Sequence, residues 1–150
     1  MTSITPATPA GSELPVPASA IVAMLFDDLV ASIDEAMRCI DAGQIEARFR
    51  ALTQATDIVG DLAAGLDEDA TDDWSKRTEA LYKYLIRLFM MANIRNTKAP
   101  LEEGKLILEP VRRAWQCMAA EEKMRAELAR RGVRNDAADV TRWFQQVAAE

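Results

Sequence analysis

Histidine is missing from all 150 residues. The chain therefore lacks the commonest general base near neutral pH and the commonest metal ligand, which removes much of acid–base and zinc chemistry. Cysteine is almost as scarce. Cys39 and Cys117 are far apart and form no CxxC spacing, so the expectation is two buried, reduced thiols, not a metal or thioredoxin-like site. Glycine and proline number six each and fall mostly outside the periodic segments; neither a Gly-rich phosphate loop nor a nucleophile elbow is present. No apolar run is long enough to cross a bilayer, and the first twenty residues show no basic region followed by an apolar stretch. These absences predict a soluble, cytoplasmic protein with no cofactor, no metal, no membrane insertion and no catalysis. A net charge of −6 with acids and bases interleaved argues against a nucleic-acid partner and needs only a solvated surface.

What remains is rich in helix formers: Ala, Leu, Glu, Arg and Met. Residues 1–18, rich in Pro, Ser, Thr and Ala, read as a mobile arm. A first helix is predicted over 19–42, capped by Ser19 and ended by Gly43, with Ile21, Leu25, Leu29, Ile33, Ala36, Met37 and Ile40 inward. A second is predicted over 44–66 on the stripe Ile45, Phe49, Leu52, Val59, Leu62 and Leu66; Gly60 inside it marks either a close backbone or a tolerated cost. Five carboxylates follow in the seven residues 67–73, without the alternation or bidentate Glu of a calcium loop. They read as a solvated turn whose charge favours the start of the third helix, predicted over 73–95.

The fourth helix carries Leu101, Leu108, Val111, Trp115 and Met118, with a kink predicted near Leu106 to Pro110 and a loosened turn at Gly104. Charged, helix-forming sequence then continues to Gly132. A last short helix is predicted after Asn135, with Val140, Trp143, Phe144 and Val147 on one face. The sum is an all-α, antiparallel four-helix bundle over 19–118 with a helical extension over 119–150.

One stretch exceeds what such a bundle needs. In LYKYLIRLFMMANI, residues 81–94, eleven of fourteen positions are apolar or aromatic, against about three in seven for an ordinary bundle helix. Placed at 100° per residue, Leu81, Leu85, Leu88 and Ala92 form a core stripe, while Tyr82, Ile86, Phe89 and Met90 form a lateral one. The lateral stripe predicts a groove for a partner helix. In the alternative, Trp143 and Phe144 cover it.

Four fragments then resemble, in order, the flagellin-specific export chaperone family FliS. IVAMLFDDL in the first helix is similar to that family's LIxMLFDG motif, at Met24, Leu25, Phe26 and Asp27. QIEARFRALTQATDIVGDLAAGLD resembles its second-helix pattern. LYKYLIRLFMMANIRN is similar to LYxYMxRRLxxANLxN at Leu81, Tyr82, Tyr84, Arg87, Ala92, Asn93 and Asn96, and LEEGKLILEPVRRAW ends, as the family's fourth helix does, in Ala114 and Trp115. Asp28 stands at the family's usual glycine and Leu88 at an arginine. The resemblance implies a four-helix bundle that binds the disordered C-terminal segment of flagellin, keeps it from polymerising, and helps present it to the flagellar type III export gate. The lateral stripe makes Tyr82, Ile86, Phe89, Met90 and Asn93, with Ile58 and Leu62 of the second helix, the expected client contacts, in a monomer or weak dimer. The competing expectation is a bundle that dimerises or serves as an adaptor through the same face, with no flagellin client.

Overall fold

The structure is a computed structural model that describes residues 16–66, 71–132 and 137–149, the side chains of 137–140 excepted. Residues 1–15, the centre of the acidic turn at 67–70, and the cap expected at Asn135 lie outside the described residues. Among the described residues five helices follow in order: α1 Ala18–Ala42, α2 Ile45–Ala64, α3 Asp73–Arg95, α4 Ala99–Arg130 and α5 Ala137–Ala148. All regular structure among the described residues is helical, as the composition predicts.

Local chemistry explains most helix ends. Gly43 stops α1 in the left-handed conformation at φ 70°, where its N–H donates to the Ile40 carbonyl and that of Gln44 to the Cys39 carbonyl at 2.9 Å. This pair of bonds is a Schellman ending, which needs a residue without a Cβ penalty. Asp72 caps α3, accepting from the Ser75 N–H at 3.2 Å; the Ser75 side chain first, and this N–H second, hold its carboxyl below the ordinary carboxylate value. Asn96, at φ 50°, ends α3, and Gly132, at φ 76°, follows the end of α4. The start of α1 departs from expectation. Its cap position is Pro17, while Ser19 lies inside the helix, buried, with its hydroxyl donated to Glu122 of α4. A partner on another helix claims the hydroxyl that a cap would have turned to its own backbone.

The helices α1, α2, α3 and α4 pack in a closed ring: α1 against α2 and α4, and α3 against α2 and α4. Phe26, Leu29 and Ile33 of α1, Val59 of α2, Leu85, Leu88 and Phe89 of α3, and Leu101 and Leu108 of α4 fill the centre, all buried. Each contributes roughly 1.5–3 kcal/mol by leaving water.

Several wheel assignments shift. Ile21, expected inward, is exposed, as are Ile45 and Phe49 at the start of α2, where Ala51, Ala55 and Ile58 are buried instead. Small residues there let α2 lie close to α1. Met118 and Cys117, both expected inside, are exposed, so the core stripe of α4 fades after Trp115, while Cys39 of α1 is buried.

Gly104 does not loosen α4. It is buried, and a Cβ built on it would sit 3.6 Å from Leu85 Cδ2 and 3.7 Å from Leu88 Cδ1, which makes it the close-approach point between α4 and α3. Gly60 is exposed with nothing near its absent side chain, so no backbone approaches there. Pro110 lies within α4, which stays helical through it; Pro110 and Leu106 are both exposed to solvent.

Candidate client-binding surface

The third helix divides differently from its sequence wheel. Tyr82 and Phe89, assigned to the lateral stripe, are 6% and 1% exposed and belong to the core with Leu85, Leu88 and Ala92, whereas Leu81 is only half-buried. The reason is that α3 touches α2 on one side and α4 on the other, which widens its buried arc. Burial also raises the Tyr82 phenol above its usual pKa. Ile58 and Leu62 of α2 are likewise core residues.

After the core closes, an apolar remainder stays outside. On α3 it comprises half-buried Ile86 and the exposed side chains of Met90, at 58%, and Ile94, at 78%. Ile45 and Phe49 of α2 are exposed to 64% and 58%. A shallow depression of about 430 Å³ brings the two helices together, with Ile45, Phe49 and Arg48 on one wall and Asn93 on the other. Arg48 fixes its floor: Nε donates to Asn93 Oδ1 at 3.1 Å, and a terminal guanidinium nitrogen donates to the Asn96 side chain. One planar cation thus ties α2 to the last turn of α3. The surface is apolar at its edges with fixed hydrogen-bonding groups between them, a combination that suits a peptide carrying both apolar side chains and free backbone polar groups.

The tail does not cover this edge. Trp143 lines a different groove, formed with the first turn of α1 and the last turns of α4, and stacks edge-on with Phe144 at 5.0 Å, while Phe144 and Val147 remain exposed. Among the described residues no group of three potential metal ligands occurs, and no helix is long and apolar enough to cross a membrane.

Residues 16–122 match the family model described as flagellar protein FliS. The chain belongs to that family. It is 31% identical over 97 residues to the flagellar secretion chaperone FliS of Salmonella typhimurium (strain LT2), covering 64% of this chain and 72% of that protein. Against the flagellar secretion chaperone FliS of Escherichia coli (strain K12) it is 28% identical over 97 residues, 64% and 71% of the two lengths. The last turns of α4 and all of α5 lie beyond the matched segment.

Within that family frame the motif residues have distinct jobs. Phe26 and Ala92 are core, and Leu25, Leu81 and Trp115 pack against it half-buried. Tyr84 donates to Glu103 of α4, a bond that raises its phenol pKa. Asn93 and Asn96 hold Arg48, as described. Asp27 accepts from Arg112 Nε at 2.7 Å and from Gln116 at 3.0 Å. Met24, Arg87 and Ala114 are exposed to solvent. Most of these motif residues therefore serve the fold.

Sequence reasoning missed a further constellation. Asp41, Asp34 and Asp27 of α1 pair with Lys98, Lys105 and Arg112 of α4 at 2.8, 2.6 and 2.7 Å. Each series advances by seven residues, so the pairs form the rungs of one antiparallel ladder along the seam. The signal, acids and bases repeating at seven on two helices, was present in the sequence.

Proposed function

We propose that this protein is a cytoplasmic flagellar secretion chaperone that binds the disordered C-terminal segment of flagellin, prevents its premature polymerisation and aids its delivery to the flagellar type III export gate. It acts by binding and not by catalysis, as a monomer or weak dimer, with 19–118 as the client-binding bundle and 119–150 as an extension. The observation that carries the client reading is the apolar surface left on α2 and α3 once the core is closed, flanking the Arg48 cluster. Tyr82, Phe89, Ile58 and Leu62 support that surface from beneath; Ile86, Met90, Asn93, Ile45 and Phe49 make the contacts. A segment that orders on binding buries roughly 1,000–3,000 Å², which requires such long apolar edges.

Isothermal calorimetry with the flagellin C-terminal peptide tests the reading. Met90→Asp combined with Phe49→Asp is expected to weaken binding by at least about tenfold, the effect of losing ~1.4 kcal/mol, with an unchanged melting curve. Leu85→Asp, which buries an unpaired charge, is expected to unfold the protein. An intact protein that gives no binding heat at micromolar concentration would exclude flagellin as the client.

A further inference from the structure

Where α4 meets α1, cations face carboxylates: Lys98, Lys105 and Arg112 pair with Asp41, Asp34 and Asp27. Arg48 of α2 does not follow this rule. Its side chain is half-buried, yet both groups that hold it are neutral amides, Asn93 accepting from Nε at 3.1 Å and Asn96 from a terminal nitrogen. The positive charge is therefore fixed in place without being neutralised. A guanidinium has more N–H donors than these bonds consume, and Arg48 lines the depression between α2 and α3, so the remaining donors are available there. A carboxylate at position 93 or 96 would grip the same cation more strongly. The left-handed turn accounts for an asparagine at 96, but Asn93 lies within α3, where asparagine is a weak helix former, so tying the two helices together does not explain the neutral pair.

The surroundings favour an anion carried by an apolar chain. Arg50 also lines the depression and has no ion pair among the described residues, while Glu46 is the one acid of the lining, so cations outnumber acids there in a chain of net charge −6. Ile45 and Phe49 flank the guanidinium with exposed apolar surface. On α3, Ile86, Met90 and Ile94 follow one another at every fourth residue, so the apolar edge runs along the helix and stops beside this cluster. A chain lying on that edge meets the guanidinium where the edge ends.

We infer that Arg48 receives the α-carboxylate of the client's last residue, with the client's neighbouring apolar side chains on Ile45 and Phe49, and that Asn93 and Asn96 are positioning residues that aim the guanidinium. The inference rests on the client reading above. A planar guanidinium pairs with a carboxylate through parallel N–H···O bonds, which fix orientation as well as adding attraction. The client consequently lies in one direction, its final residue at the start of α2 and the preceding ones back toward Ile86.

Calorimetry on the full chain with two forms of the flagellin C-terminal peptide, free acid and terminal amide, tests this. The free acid is expected to bind at least about tenfold more tightly, the effect of one charge-assisted pair. Arg48→Gln is expected to weaken the free acid by a similar factor and to leave the amide unchanged, so that the two forms become equal. Asn93→Ala is expected to narrow the acid–amide ratio at constant amide affinity, whereas a purely structural role would weaken both forms alike. The comparison on the unaltered chain keeps the test valid even if Arg48→Gln unfolds. Equal affinities of the two forms overturn the carboxylate site and leave the client reading standing; no heat from either form removes both. An acid–amide difference that persists in folded Arg48→Gln overturns the assignment to Arg48. Dependence on Arg48 that survives amidation but vanishes when the peptide's Asp and Glu residues become Asn and Gln overturns the chain end in favour of a side-chain carboxylate.

Discussion

Two glycines in helices, Gly60 and Gly104, demand opposite treatment. Gly60 is exposed and meets nothing, so Gly60→Ala is expected to stabilise the protein by about 1 kcal/mol in urea or thermal unfolding. Gly104 tolerates a methyl group at ordinary contact distance, but a larger side chain would be driven into Leu85 and Leu88; Gly104→Leu is expected to cost about 1–3 kcal/mol in the same measurement, with Gly104→Ala folding normally. Neither answer was legible in the sequence, where each glycine had two explanations, because what surrounds a missing Cβ is a tertiary fact. Asp72 supplies a pH-dependent case. Its folded carboxyl has a lowered pKa through the bond from Ser75, so the cap is fully effective above the ordinary carboxylate value near 4 and is lost as pH falls through the folded value. Melting curves of the protein and of Asp72→Ala should accordingly differ at pH 7 and converge as the pH falls below the lowered folded value of the Asp72 carboxyl.

For whole helices, the sequence was most informative where caps and periodicity agreed. The span of α3 follows from an acidic cap, a strong stripe and a polar turn, and it appears at 73–95 as the pattern predicts. Its faces were less legible, because a helix wheel sorts residues by angle but does not know how many neighbours the helix has. With α2 and α4 both in contact, Tyr82 and Phe89 turn inward, and the candidate surface contracts to Ile86, Met90 and Asn93 beside two side chains of α2 that the stripe analysis had buried. The short α5 lies at the other extreme. Twelve residues are marginal as an isolated helix, and Phe144 and Val147 stay exposed, so its amides are expected to exchange with deuterium well before those of α1 and α3. Protection of α5 equal to that of α3 would show that it is part of the cooperative bundle.

At the scale of the whole molecule, the apolar core sets compactness while the charged seam sets how α1 lies along α4. Exposed ion pairs are individually weak, but a row of them on a common register discriminates against misaligned helices. Asp34→Lys and Lys105→Asp are each expected to lower the melting midpoint at low salt, and the double exchange to recover it; in about 1 M salt, where screening acts over ~3 Å, the three variants should differ little. The seven-residue spacing of that row has a geometric consequence as well. In a straight helix a seven-residue repeat drifts by about 20° per step, so side chains at three successive steps fall out of line unless the helices wind around each other. Keeping Asp27, Asp34 and Asp41 in register with Arg112, Lys105 and Lys98 therefore calls for a gentle left-handed supercoil of α1 and α4, with a crossing near +20°. A crossing of the opposite hand in a crystal structure would show the rungs to be held by side-chain reach instead.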